Sequence, residues 1–237
     1  MGYRLECLCM VLLAQLHRTV SVEFKVLGPV GDIVAVAGED VILPCYLKPA
    51  INAVDSRVKW NHLNTVIHHY QDRTDRSERQ NPSYKERTAL FKDELKQGNT
   101  SLKLMGVKIS DEGIYICIVQ YKGSFDDVFM KVIVTVIGSQ PVISTEEKEK
   151  GTVGLKCEAK GWYPEPELVW QDSKGQTLST GPPEIHRDPK DPEGPYTVIS
   201  RIVVPEGDNI FTCGVHMKLI NHTKKAEIHT TGDPVAP

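Results

Sequence analysis

A chain of 237 residues is too long for one ordinary domain and comfortable for two of about 100 residues, each able to bury its own core. The formal net charge of -3, from 28 basic and 31 acidic residues, creates no positive field and argues against nucleic acid as a partner. Zinc binding by Cys45, Cys117, Cys157 and Cys213 is disfavoured, because no pair of these four has the close C-x-x-C spacing that a tetrahedral site commonly uses.

At the N-terminus Arg4 precedes an apolar run from Cys7 to Leu16, followed by His17, Arg18 and the small residues Thr19 and Ser21. That order predicts a secretory signal peptide over residues 1–21, too short to span a bilayer. Its removal would take Cys7 and Cys9 and leave Cys45, Cys117, Cys157 and Cys213. An even set of four in an exported chain pairs by default as two disulfides.

Beyond it, strand-length apolar segments recur with turn residues between them and no helical period is sustained, so the chain reads as all-β. Val41, Leu43, Cys45 and Leu47 alternate as one strand, and Trp60 follows Cys45 by 15 residues. His62, His68 and His69 invite a metal, but successive strand residues face opposite sides, so no metal site is predicted. The charged stretches 71–97 and 146–150 read as solvated edge strands and turns. Asn99-Thr100-Ser101 is a glycosylation sequon, usable on export. Leu102 and Leu104 alternate next, and then Asp111, Gly113, Tyr115 and Cys117 form a D-x-G-x-Y-x-C run.

With 72 positions between Cys45 and Cys117, this constellation reads as a variable-type immunoglobulin sandwich. The cysteines point inward from facing sheets, Trp60 packs on the sulfurs, and Tyr115 ties its corner back to the backbone. Asp111 needs a partner if the base of the sandwich covers it. Arg87 stands where variable-type domains usually supply one, and its planar fork suits a carboxylate.

A Gly/Ser/Pro connection, Ile137-Gly138-Ser139-Gln140-Pro141, separates a first domain at 24–137 from a second at 138–232. There Val153, Leu155, Cys157 and Ala159 alternate, then Leu168 and Trp170, then a run over 196–204, then Phe211, Cys213 and Val215. The 56 positions from Cys157 to Cys213 leave no room for extra edge strands, which predicts the constant type. Tyr163-Pro164 is a candidate cis bond in a tight turn. Asn221-His222-Thr223 is a second sequon. Residues 233–237 read as a stalk or truncated end. No run of about 20 apolar residues is present to cross a membrane, so attachment is expected through a segment absent from this chain, the alternative being a secreted product.

The segments Ala37-Gly38-Glu39-Asp40-Val41-Ile42-Leu43-Pro44-Cys45, residues 84–91, Ser110-Asp111-Glu112-Gly113 and residues 157–166, with Gly161-Trp162-Tyr163-Pro164-Glu165-Pro166, resemble a butyrophilin ectodomain. The resemblance runs from Phe24 to Pro237 and extends to the group that includes myelin oligodendrocyte glycoprotein and the T-cell costimulatory and coinhibitory ligands. Phe211, where a Tyr often precedes the second Cys, and Met217, where antibody-type constant domains have His, depart from the antibody pattern.

If Trp60, Tyr115 and Cys117 point inward, period-two alternation sends Lys59, Asn61, Ile116, Ile118 and Gln120 to the outer surface of the same sheet. With Met130, Val132 and Val134 inward on the last strand, Phe129, Lys131 and Ile133 join that surface. Large apolar residues rimmed by polar ones are what an interface core looks like. A loop over 121–127 would crown the sheet and offer Phe125 as an anchor. The resemblance implies a leukocyte receptor met by this sheet and a dampening of T-cell responses. A second copy of the chain, in homophilic adhesion or scaffolding, is the alternative partner. No G-x-S-x-G, H-E-x-x-H, G-x-G-x-x-G or P-loop occurs, so neither catalysis nor a cofactor is predicted.

Overall fold

The computed structural model describes residues 23–147, 149 and 151–230. The predicted signal peptide with Cys7 and Cys9, the 233–237 segment and part of the 146–150 run lie outside the described residues.

The first sandwich is built from β1 (Lys25–Leu27), β2 (Ile33–Val36), β3 (Val41–Leu43), β4 (Tyr46–Lys48), β5 (Arg57–His62), β6 (Thr65–Gln71), β7 (Thr74–Asp75), β8 (Thr88–Leu90), β9 (Leu102–Leu104), β10 (Gly113–Tyr121) and β11 (Ser124–Thr135). One layer is a six-stranded sheet ordered β2-β11-β10-β5-β6-β7, and the other holds β3-β9-β8 and the β1-β4 ribbon. Alternation drives this arrangement. Tyr115, Cys117 and Val119 are wholly buried, as are Val58 and Trp60 on β5, while the residues between them turn outward. Cys45 and Cys117 are bonded with Cα atoms 6.6 Å apart, and Trp60 lies opposite Cys117 in the ladder. The Trp60 indole donates to the Thr100 carbonyl at 3.1 Å, so its one polar atom is satisfied inside the core. Tyr115 stacks on His62 at 4.4 Å, and the Tyr84 hydroxyl reaches His62 Nδ1 at 2.7 Å.

Three expectations are corrected. The strand predicted through Val41, Leu43, Cys45 and Leu47 breaks into β3, in the β3-β9-β8 sheet, and β4, paired with β1. Leu43, Cys45 and Leu47 all remain buried, so the alternation survives; Pro44 has no N–H to continue a ladder, and the chain changes partner there. The charged stretch 71–97 is not all solvated, because Tyr84, Leu90 and Leu95 are buried anchors within it. The predicted loop 121–127 is mostly strand, with only Lys122 and Gly123 between β10 and β11. Both have positive φ, 47° and 84°, the backbone of a two-residue primed hairpin turn that matches strand twist.

The second sandwich pairs a β12-β13-β16-β15 sheet with a β14-β17-β18 sheet. Its strands are β12 (Val142–Glu146), β13 (Thr152–Trp162), β14 (Glu167–Gln171), β15 (Glu184–Arg187), β16 (Tyr196–Pro205), β17 (Asn209–Met217) and β18 (His222–Thr230). The Cys157–Cys213 bond, with Cα atoms 6.4 Å apart, sits in a cluster with Leu155, Trp170, Ile202, Val204 and Phe211. Trp170 faces Cys213 and donates its indole N–H to Ser200 Oγ at 3.2 Å. Phe211 needs no hydroxyl in this apolar position. A smaller cluster gathers Ala159, Trp162, Val215 and Met217. Tyr163-Pro164 is cis, and so is Lys48-Pro49.

Inside the first sandwich, the bulge between Trp60 and Asn61 turns His68 of β6 inward, where it is 4% exposed. Its Nδ1 meets Thr88 Oγ1 at 3.0 Å and its Nε2 lies 3.3 Å from Asp75, which also binds Lys92 at 2.7 Å. Burial outweighs the attraction of Asp75 and holds the imidazole below its ordinary value of 6.5. Below that value the unfolded chain takes up a proton that the native state resists, so stability falls with acidification. We expect the urea midpoint of the first sandwich to drop as pH falls from about 7 to about 5, and the slope to flatten in His68→Gln. An unchanged slope in the variant would remove His68 as the cause.

Candidate protein-binding face

The β5–β10 register places Ile116 beside Asn61, Ile118 beside Lys59, and Gln120 beside Arg57, all directed away from the core. On the neighbouring strand β11, Met130, Val132 and Val134 are buried, which turns Phe129, Lys131 and Ile133 outward. Ile116, Ile118 and Ile133 are half-buried among their neighbours, whereas Phe129 is 62% and Phe125 is 72% exposed. Lys131 reaches Asp32 at 3.7 Å. An apolar strip thus runs along β10 and β11 with Lys59, Asn61, Gln120 and Lys131 around it, the layout of an interface core and rim.

Three residues extend the strip beyond the sequence reading. Ile114, 42% exposed, continues the parity of Ile116 and Ile118 on β10, a signal present in the alternation. Leu63, 61% exposed in the β5–β6 turn, donates its amide to the Ile114 carbonyl. Val34 lies beside Ile133 in a parallel β2–β11 ladder, and no local pattern could announce that pairing.

The electrostatics of the strip's β5 side are cationic. His69 sits opposite Lys59, and its imidazole is held below the ordinary value first by burial, then by repulsion from Arg57 and Lys59. Asp111, 2% exposed, accepts the Lys108 amide at 2.8 Å. The Arg87 guanidinium stands 5.5 Å from the centre of the Tyr84 ring and donates to the Ser83 carbonyl. Arg87 remains the partner that the sequence proposes for Asp111.

The two sequons differ in setting. Asn221 is exposed at a turn with φ 48° and ψ 43°. Asn99 is half-buried and its side-chain amide donates to Glu94 Oε2 at 2.5 Å, a bond that a glycan on the same nitrogen would disturb. Among the described residues no helix is long and apolar enough to cross a membrane, and no group of three or more His, Cys, Asp or Glu is placed to hold a metal ion.

Two disulfide-stapled sandwiches in tandem, the first with the larger span between its cysteines, define a member of the immunoglobulin superfamily. Residues 30–137 match the immunoglobulin V-set domain, and residues 137–225 match the Ig-C domain described as butyrophilin subfamily 3 member A2-like. Human butyrophilin subfamily 1 member A1 is 33% identical over 227 residues, 94% of this chain and 42% of the relative. Mouse butyrophilin subfamily 2 member A2 is 32% identical over 92% of this chain and 42% of the relative. The chain therefore spans 42% of the length of both relatives. The crystal structure of bovine butyrophilin superimposes with a TM-score of 0.81 at 27% identity, covering 89% of this chain and all of that one. A chain from the structure of ICOS in complex with ICOS-L and an anti ICOS-L VNAR domain gives 0.67 at 20% identity, a likeness of fold alone, covering 84% and 98%. The chain belongs to the butyrophilin-like group of the immunoglobulin superfamily.

Proposed function

We propose that this chain is the extracellular, glycosylated part of a cell-surface ligand. It meets a protein receptor on T cells or other leukocytes through the outer face of the β2-β11-β10-β5-β6-β7 sheet and dampens T-cell activation and cytokine production. It acts by binding rather than by catalysis and uses no cofactor. The observation that carries the reading is the outward apolar strip, above all the 62% exposed Phe129 on β11, the neighbour of the strand that carries Ile116 and Ile118. Apolar area left in water in a folded sandwich gains free energy when a partner covers it, and buried aromatic anchors dominate interface energetics. The dampening sign is supported by kinship with the butyrophilins rather than by geometry.

The test is staining of a leukocyte panel with the chain fused to an antibody Fc, as wild type, as Phe129→Asp, and as Ile118→Asp with Phe129→Asp. Phe129→Asp is expected to lower staining by about thirtyfold, the size of a lost hot spot, with its thermal midpoint unchanged. Equal staining would remove the face. Sedimentation reads the competing partner: a tight dimer that Phe129→Asp dissolves would shift the reading to homophilic adhesion. Surface-bound chain is expected to lower cytokine release from stimulated T cells, and an increase would reverse the assigned sign.

A further inference from the structure

At the hairpin tips the outer face runs into a cleft of about 400 Å³ whose lining includes Asp55, Ser56, Arg57, Asp72, Gln120 and Lys122. Two of these belong to the face itself, since Arg57 and Gln120 are the next cross-strand pair beyond Lys59 and Ile118. The cleft is continuous with the proposed interface.

Its charge is not what the residue count suggests. Asp55 is bound by Arg73 at 2.7 Å, and Asp72 by Arg76 at 2.8 Å. Neither arginine lines the cleft, so both acids are offset from outside it. Among the described residues neither Arg57 nor Lys122 has a carboxylate within ion-pair distance; Lys122 stands over the Tyr121 ring at 5.1 Å and attracts Asp55 at longer range. Two cations therefore line the cleft without a close ion pair, the Gln71 and Gln120 side chains add amide donors, and the buried Ser56 hydroxyl makes no hydrogen bond.

Backbone conformation adds a separate observation. Lys122 at φ 47° and Arg73 at φ 59° adopt the left-handed region in the two hairpin turns that border this cleft. Primed two-residue turns favour Asn, Asp or Gly at these positions, and a long side chain there costs backbone energy that Asn would spare. Such outliers gather where a side chain is used.

From these observations we infer that the cleft receives a carboxylate from an Asp or Glu side chain of the protein partner. Arg57 meets it with its planar fork, Lys122 supplies a point charge, and the glutamine amides donate hydrogen bonds. Asp55 and Asp72 in the wall disfavour a doubly charged group such as a phosphate, so a single negative charge fits best. Seated there, the carboxylate fixes the register in which the apolar strip docks, because electrostatic complementarity selects partner and orientation. The inference rests on the reading of the face as an interface.

The test uses the same Fc fusion and leukocyte panel with wild type, Arg57→Gln, Lys122→Asn and Phe129→Asp. Lys122→Asn is expected to raise the thermal midpoint by about 4 °C, because Asn suits the turn, while lowering staining about tenfold. Arg57→Gln is expected to lower staining about tenfold, and raising NaCl from about 150 to about 500 mM to weaken wild type more than either variant. If both variants stain like wild type while Phe129→Asp does not, the cleft is overturned and the face stands. If all three stain like wild type, both fall. If sialidase treatment of the cells removes wild-type staining, the carboxylate belongs to a glycan and the side-chain assignment is overturned.

Discussion

Replacing Cys45 and Cys117 together by alanine is expected to unfold the first sandwich at body temperature while the second keeps its structure. The bond closes a loop of 72 residues, and the loop-entropy model assigns about 4 kcal/mol to that constraint on the unfolded chain. A domain of this size has a total margin of about 5–15 kcal/mol. The sulfurs also fill space: Cys45, Cys117 and Trp60 are each wholly buried, and Thr100 Oγ1 lies 3.1 Å from the Cys45 sulfur. Removal therefore adds a packing defect beside the Trp60 ring to the lost constraint. Urea denaturation followed by Trp60 fluorescence should show the midpoint falling by about 3 M. A shift under about 0.5 M, or non-reducing peptide maps that join these cysteines differently, would contradict the assigned core.

Gly138→Ala is the second large effect, and it falls on the second sandwich. A methyl group on Gly138 would overlap the Lys160 carbonyl oxygen and the Trp162 indole, while the Gly138 carbonyl accepts from Lys224 Nζ at 2.7 Å. The obstructing atoms are a backbone oxygen in strand β13 and a ring buried with Met217 and Val215, and neither can move aside cheaply. Overpacking at such a point costs about 3 kcal/mol. Gly31→Ala is the control, since nothing lies within 4 Å of the added methyl. Urea curves read through the Trp162 and Trp170 fluorescence should separate the two variants by more than about 1 M. Coincident curves would mean that the connection yields, and that Gly138 serves chain geometry alone.

The outward strip and the cleft were legible to different degrees. Lys59, Asn61, Ile116, Ile118, Phe129 and Ile133 share their face because strand side chains alternate, so a fully buried Trp60 and Cys117 settle the parity of everything beside them. Ile114 was carried by the same alternation. Val34 was not, since it joins the strip only through the parallel ladder between β2 and β11, about 100 residues apart in the chain. The cleft was equally silent. Asp55, Asp72 and Lys122 come from three separate turns, and the arginines that offset the two acids are identified only by their distances.

By itself the sequence determined the two sandwiches, their sulfur pairs, the tryptophan against each pair, and which residues of β5, β10 and β11 turn outward. These follow from spacing and a period of two, properties that neighbouring residues impose on one another whatever the rest of the chain does. The tertiary structure alone decided where strands change partner, as at Pro44. It also decided which charged-stretch residues are buried anchors, and which charges meet at the hairpin tips. Those outcomes depend on ladders and ion pairs between segments far apart in sequence, where the free energy of a residue is set by what folding brings beside it rather than by what precedes and follows it.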